Sequence, residues 1–335
     1  MSSDTRTVRV GMIGAGRHAQ ANLYPSLAAL GVPITAISTR DMAGARAAAI
    51  RFGATSAYDD FTTMLASERL DAVIISLAPD DQAGIAEQCL RAGVDVLVEK
   101  PLGLDSSTAQ RVADVAAAAD RIAMIAFMKR FAPCYTRVAE LIADRAQFGA
   151  VQSFEMTFAF STWTADLRDD SFLKLAAIHM VDLLRHLLGE VDGVHGWRHS
   201  AGADISLVFA VRMRSGVVGT LNLVALPSWE RGHERLTISG TQGYVVAEQA
   251  IVRYHRRTPT SDQAPRWQLL DEQTVLAESV VSTGSGGAQD LFLRGFVGEV
   301  AQFLDCVTNR TQPSCSAADN VATMQLCERL LDALR

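Results

Sequence analysis

Short β-branched apolar runs and longer Ala-rich stretches alternate through the first third of the chain. "TVRVGMIGAG", "PITAISTR", "DAVIISLAP" and "DVLVEKP" have the length and flanking breakers of buried strands. Between and after them, "AQANLYPSLAAL", "MAGARAAAIRFG", "GIAEQCLRAG" and "SSTAQRVADVAAAAD" carry helical spacing. Alternation of this kind predicts right-handed crossovers and a parallel, doubly wound sheet, with "IAMIAFMKRFAP" as its last strand. From about residue 150 the period drops to two in "AVQSFEMTFAF", "DISLVFAVRMRSG", "VVGTLNLVAL", "ERLTISGTQGYVVAEQ" and "AIVRYHRR". That pattern suits an antiparallel sheet with one covered face. One helix, "LKLAAIHMVDLLRHLLG", interrupts it early. A polar segment over 258–288 reads as a surface excursion, and "FLRGFVGEVAQFLDCVTN" and "SAADNVATMQLCERLLDALR" as closing helices. The expected class is α/β: a doubly wound parallel-sheet domain over 1–126, then an α+β domain with a large, mainly antiparallel open sheet over 127–335.

Bulk properties narrow the partners. A chain of 335 residues exceeds what a single core supports, which agrees with two domains. With 49% hydrophobic and 20% charged residues it has an ordinary globular composition. A net charge of -6 without basic tracts argues against nucleic-acid and anionic-membrane partners and leaves a small molecule as the expected ligand. The polar start "MSSDTRTV" runs straight into a strand, unlike a secretory signal, and no apolar run reaches the ~20 residues of a membrane span, so a cytoplasmic location is expected. Cys89, Cys134, Cys306, Cys315 and Cys327 are scattered and odd in number, which disfavours disulfides and structural zinc. His186, His195, His199, His233 and His255 show no metal-ligand spacing either.

In "VGMIGAGRHAQ", Gly14 and Gly16 follow the first strand directly and Ala19 takes the third position of a G-x-G-x-x-G/A turn. Glycine is required there because the backbone turns sharply and approaches a pyrophosphate, whose charge then sits at a helix N-terminus. Arg17 and His18 stand beside it. The second strand ends "AISTRD", with Thr39 and Arg40 where an acidic residue would bond a ribose 2′-hydroxyl. A guanidinium matches a 2′-phosphate, so NADP(H) is the expected cofactor. The competing reading leaves Arg40 on the surface and gives the ribose to Asp41, with NAD(H) as cofactor.

"DVLVEKPLGLD" puts Glu99, Lys100 and Pro101 at the end of an apolar strand. Ligands of doubly wound sheets lie outside the carboxyl ends of the strands, which places Ala78 and Pro79, Glu99 and Lys100 beside the cofactor. Lysine in that position can bond a substrate oxygen and stabilise charge on it. An ordinary edge ion pair with Glu99 is the plainer alternative. Lys129, with Arg130, ends the last strand, where it reaches the cofactor or is merely solvated.

The glycine turn, "LAPDDQAGIAEQCLRAGVDVLVEKPLGLD", "IAFMKRFAP", "FGAVQSFEMTF", "IHMVDLLRHLLG" and "ISGTQGYVVAE" together resemble the Gfo/Idh/MocA oxidoreductases in order and over nearly the whole chain. That resemblance implies a Rossmann domain, NAD(P)-dependent chemistry on sugars and cyclitols, frequent homo-oligomers (dimers or tetramers through the second domain's sheet), and Lys100 as the catalytic lysine. It also makes His179 the counterpart of the family's Asp-x-x-x-His histidine and Asp182 that of an acid touching substrate hydroxyls. Leu175 stands where the aspartate belongs. His179 is then held by Asp182, Asp170 or a carbonyl, or it is packing only; a neutral imidazole suits proton exchange with a carbinol. Tyr135 and Trp163 are candidates to line a sugar pocket, with core packing as the rival reading.

The expectation is an NADP(H)-dependent oxidoreductase acting on a sugar, nucleotide-sugar or cyclitol, in which Lys100 bonds the reacting oxygen and His179 exchanges its proton. Two rivals keep the dinucleotide site: a reductase of an imine or unsaturated bond, and a silent cofactor-binding sensor.

Overall fold

The computed structural model describes residues 8–161, 168–257, 271–278 and 289–335. The chain forms two compact units, Met1–Phe131 with Gly287–Gln325, and Ala132–Gly286 with Leu326–Arg335. In the first, β1 (Val10–Ile13), α1 (Tyr24–Ala29), β2 (Ile34–Ser38), α2 (Met42–Phe52), β3 (Ser56–Tyr58) and α3 (Phe61–Ser67) form one half. The other half is β4 (Ala72–Ile75), α4 (Pro79–Arg91), β5 (Asp95–Glu99), α5 (Ser106–Ala118) and β6 (Ala123–Ala126). All six strands are parallel, in the order β3-β2-β1-β4-β5-β6. Every residue of β1, β4, β5 and β6 is buried, as a sheet covered on both faces requires, which explains their continuous apolar runs. The order reverses between β1 and β4, and there a crevice opens at the carboxyl ends.

The helices start where the sequence supplies caps. Asp41, Asp60 and Asp105 accept hydrogen bonds from the backbone N–H three residues on, at 2.7 Å each, opening α2, α3 and α5. Pro79 occupies the first turn of α4.

The second unit holds α6 (Pro133–Ala143), α7 (Arg145–Phe148), β7 (Val151–Phe160), α8 (Asp169–Ser171) and α9 (Ile178–Leu188). After them come β8 (Val191–Ala201), β9 (Asp204–Met213), β10 (Val218–Ala225), β11 (His233–Gly240), β12 (Gly243–Glu248), β13 (Ile251–Arg257) and β14 (Asp271–Ala277). Its sheet runs β14-β13-β12-β11-β7-β10-β9-β8, antiparallel except for the parallel β7–β10 pair. Period-two alternation is clear in β9, where Ile205, Leu207, Phe209, Val211 and Met213 are buried. The opposite face carries Trp197 and Val218, 64% and 51% exposed, with Val208, Tyr244 and Val275 in the same parity. A Cβ at Gly196 would lie 2.8 Å from the Phe209 ring, so β8 needs glycine where it crosses that side chain.

Three sequence expectations change. The 258–288 excursion contains a strand, β14, which earns its place by pairing with β13 rather than by composition. β8 escapes the alternation reading because its glycines and histidines are polar in pattern, yet it pairs with β9 along its length. Third, the segment Gly287–Gln325, expected with the second domain, clusters with the first unit. The reason is packing: in α11 (Phe296–Asn309), which follows α10 (Gln289–Leu293), Phe296, Val300 and Phe303 are buried, and the helix packs on α1. Just before α12 (Ala317–Asp332), Cys315 accepts a hydrogen bond from the N–H of Ile125 at 2.8 Å, so the returning chain covers the edge of β6.

Asp95 shows why an acid begins a buried strand. It is 1% exposed, accepts from the Ile122 N–H at 2.8 Å and pairs with Arg310 of the returning segment. Arg310 can turn to solvent if that partner is lost, whereas the Ile122 N–H cannot. Asp95→Ala is therefore expected to cost about 2 kcal/mol, read as a lower urea midpoint with an unchanged slope.

Candidate active site

At the carboxyl ends of β1, β2 and β4 lies a cleft of about 940 Å³. Its tightest point is Gly14, with φ of 99°, whose N–H donates to Ser38 O at 2.8 Å and whose carbonyl accepts from the Tyr24 hydroxyl at 3.0 Å. A Cβ there would sit 2.1 Å from Ser76 O, so only glycine fits. At Gly16 a Cβ would meet nothing within 4 Å, which leaves bare backbone facing open space. This is the cradle a pyrophosphate requires. Arg17, His18, Thr39, Arg40 and Ala78 line the same cleft, as the sequence predicts. Pro79, Glu99, Lys100 and Lys129 are not among the lining residues; the ring of Pro79 opens α4.

The end of β2 divides the two cofactor readings. Asp41 spends its carboxylate on the Gly44 N–H as the α2 cap, and its carbonyl accepts from Thr39 Oγ1 at 2.6 Å. Arg40 is exposed at the cleft wall. A second cation was hidden from sequence reasoning: Arg51 donates to Gln20 Oε1 at 2.7 Å, and Gln20 Nε2 donates to Ala15 O at 2.6 Å. The available signal was the helical spacing of Gly44, Ala47, Ala48 and Arg51, which puts one face of α2 along the cleft.

Glu99 and Lys100 at the end of β5 are not a simple edge ion pair. Glu99 is 7% exposed; its Oε1 lies 2.7 Å from His18 Nε2, and its Oε2 accepts from the Lys100 N–H at 3.1 Å. Asn22 Nδ2 reaches His18 Nδ1 at 3.2 Å, so the glycine-turn helix and β5 are tied by side chains. Behind the strand stands Gln82, fully buried, whose Nε2 donates to Glu99 O at 2.8 Å and Pro101 O at 3.0 Å and whose Oε1 accepts from the Leu77 N–H at 3.3 Å. Nothing in the apolar spacing of α4 marks Gln82. Burial holds the Lys100 ammonium below the ordinary lysine range, with neighbouring Lys129 pushing the same way and Glu99 opposing. Lys129 is thus beside Lys100, buried, while Arg130 is spent on Ser314 O at 2.6 Å and on Asp319.

In the second unit, His179 is half-buried near the start of α9 and Asp182 is 1% exposed, so the acid expected to meet substrate hydroxyls is not open to solvent. The turn before α9, Phe172–Ala177, is π-helical, which stretches the i, i+4 spacing by which Asp-x-x-x-His would align both groups. Leu175 is half-buried there, and Lys174 pairs with Asp170 at 2.8 Å, which removes Asp170 as a free orienter of His179. Tyr135 is corrected: it is 3% exposed and donates to Glu234 at 3.0 Å, a packed core residue rather than a pocket wall. Trp163 lies outside the described residues. All five cysteines are buried, with the Cys89 thiol pushed up to about 12 by burial, and no group of three His, Cys, Asp or Glu side chains among the described residues could hold a metal. Nor, among them, is any helix long and apolar enough to cross a membrane.

A six-stranded parallel sheet with a glycine cradle, followed by an open mixed sheet, defines the class of two-part NAD(P)-binding oxidoreductases. Residues 8–127 match the oxidoreductase family with an NAD-binding Rossmann fold and residues 135–246 the GFO/IDH/MocA C-terminal domain, so the chain belongs to the GFO/IDH/MocA family. A relative from Streptomyces violaceoruber, dTDP-3,4-didehydro-2,6-dideoxy-alpha-D-glucose 3-reductase, is 31% identical over 309 residues, 85% of this chain and 89% of that one. The D-xylose 1-dehydrogenase (NADP(+)) 2 of Haloferax volcanii is 32% identical over 192 residues, 55% of this chain and 58% of the other. An uncharacterized oxidoreductase of Rhizobium meliloti is matched over 45% of its length, so the chain spans about half the length of the first curated relatives it matches. Among solved structures, levoglucosan dehydrogenase in complex with NADH and L-sorbose shares the fold at TM-score 0.83 and 20% identity, covering 97% of this chain and 96% of that one.

Lys100 is half-buried, and a lysine held below its ordinary pKa costs stability. The unfolded chain binds its proton more readily, so the cost is fully present below the lowered folded value and shrinks as pH climbs through it toward the ordinary lysine value. Lys100→Met is expected to raise Tm at the acidic end of a pH series, and the gap should close in scans at progressively alkaline pH.

Proposed function

We propose that this protein is an NADP(H)-dependent oxidoreductase that interconverts a carbonyl and an alcohol on a sugar, nucleotide-sugar or cyclitol. The observation that carries the reading is Lys100: an ammonium held below its ordinary range by burial at the carboxyl end of β5, whose neighbouring carboxylate, Glu99, meets His18 of the cleft lining. The names of the relatives, a D-xylose dehydrogenase and a deoxysugar 3-reductase, support the substrate class. Arg40 and Arg51 at the cleft, with Asp41 committed to its helix cap, support NADP(H) over NAD(H).

Bound nicotinamide would supply the hydride acceptor or donor. Gly14 and Gly16 offer backbone to the pyrophosphate, and Arg17 and Arg40 offer charge to the phosphates. Lys100 donates a hydrogen bond to the reacting oxygen and stabilises its developing negative charge. His179 takes the hydroxyl proton during oxidation and returns it during reduction, a step worth about 10² to 10⁴ in rate. Asp182 bonds a neighbouring hydroxyl once substrate displaces its present surroundings. The exposed apolar positions on the outer face of the second unit's sheet support association with another copy of the chain there.

A second reading, a protein that binds the cofactor without turnover, is favoured by one observation, the loss of the aspartate at Leu175 and the pairing of Asp170 with Lys174. The two separate on titration with NADPH and NADH followed by a screen of aldoses, ketoses and inositols. Turnover that falls at least 10²-fold in Lys100→Ala and by a similar factor in His179→Ala supports the enzyme; tight binding with none on any substrate supports the silent protein. Arg40→Ala should weaken NADPH about tenfold or more and leave NADH within twofold, and equal losses for both would remove the preference for the phosphorylated cofactor. Sedimentation of Trp197→Glu should show a smaller species than the parent if copies meet through the sheet.

A further inference from the structure

Gln82 is fully buried in the first turns of α4, yet every hydrogen-bonding atom of its amide is used, and all are used on backbone. Two carbonyls lie on one side of it and one N–H on the other, so only one orientation of the amide satisfies all three groups. The two carbonyls belong to Glu99 and Pro101, the residues on either side of Lys100. The Lys100 N–H is taken by Glu99 Oε2 at 3.1 Å. Thus the main chain that carries the lysine is pinned before, at and after it. The third partner, Leu77, precedes Ala78, and both line the dinucleotide cleft.

We propose that Gln82 is the positioning residue of Lys100, fixing the ammonium relative to the cleft wall that faces the cofactor. The proposal rests on the reading of Lys100 as the group that bonds substrate. A lysine on a four-carbon stem has many rotamers, and its reach is useful only if its Cα is fixed. An apolar residue of the same shape would leave three buried backbone groups without partners, and the segment would loosen or take up water. The charged groups bearing on Lys100 include Glu99 and Lys129, and Gln82→Met alters neither.

The chain has only three lysines, Lys100, Lys129 and Lys174, which makes amine labelling decisive. Acylation with acetic anhydride, followed by mass spectrometry across a pH series, yields a midpoint for each, with and without NADPH. Gln82→Met keeps the shape and removes the hydrogen bonds; Gln82→Glu turns acceptors toward the two carbonyls. In both, the Lys100 midpoint should move up by about half a pH unit or more as the segment hydrates, with Lys174 unchanged as the internal reference. NADPH affinity should stay within about threefold, protection of Lys100 by NADPH should fall, and turnover should drop about 10-fold to 100-fold in kcat with little change in KM. Should Gln82→Met fail to fold, Gln82→Asn, which keeps both donors but withdraws them by one methylene, carries the same expectation. Unchanged midpoints and protection in folded variants overturn the positioning role alone. If NADPH does not protect Lys100 in the parent protein, the reading of Lys100 falls, and the proposal with it.

Discussion

A parallel sheet covered on both faces has nowhere to place polar chemistry except at its ends. β1, β4, β5 and β6 are buried throughout, so the sheet's polar groups stand at the strand ends, those of the glycine cleft at the carboxyl edge. That single constraint gathers Gly14, Thr39, Arg40 and Ala78 around one cleft although the chain between them runs out and back several times. It also sets the terms for Lys100, which must be held by hydrogen bonds because the water that would solvate it is largely excluded.

Much of this was legible in the sequence because it depends on local necessity. A positive φ at Gly14 and a clash at 2.1 Å leave glycine alone there, and a linear pattern captures that. Strand ends are equally readable: Pro101 and the polar pair before it stop an apolar run. Arg17, His18, Thr39 and Arg40, singled out from these ends, line one cleft.

What escaped depends on groups distant in sequence. Gln82 reads as an unremarkable helix residue until Glu99 O and Pro101 O are found against its amide, seventeen and nineteen positions on. Tyr135 carries the aromatic ring a sugar pocket would use, but Glu234, on a strand far along the chain, takes its hydroxyl. The setting of His179 was unreadable for a different reason. The spacing of the histidine motif assumes α-helical geometry, and Phe172–Ala177 forms a π-helical turn, whose wider coil is not written in any one residue.

The returning segment also bears on the order in which the molecule can be completed. Cys315 covers the edge of β6, and Arg310 neutralises Asp95 at the foot of β5. A chain leaving the ribosome therefore makes the strands of its first unit early but lacks the covering for their last edge until Cys315 has been synthesised. The first unit is completed only after β7–β14 of the second have been made, and until then its sheet presents an unpaired edge to whatever else is nascent nearby.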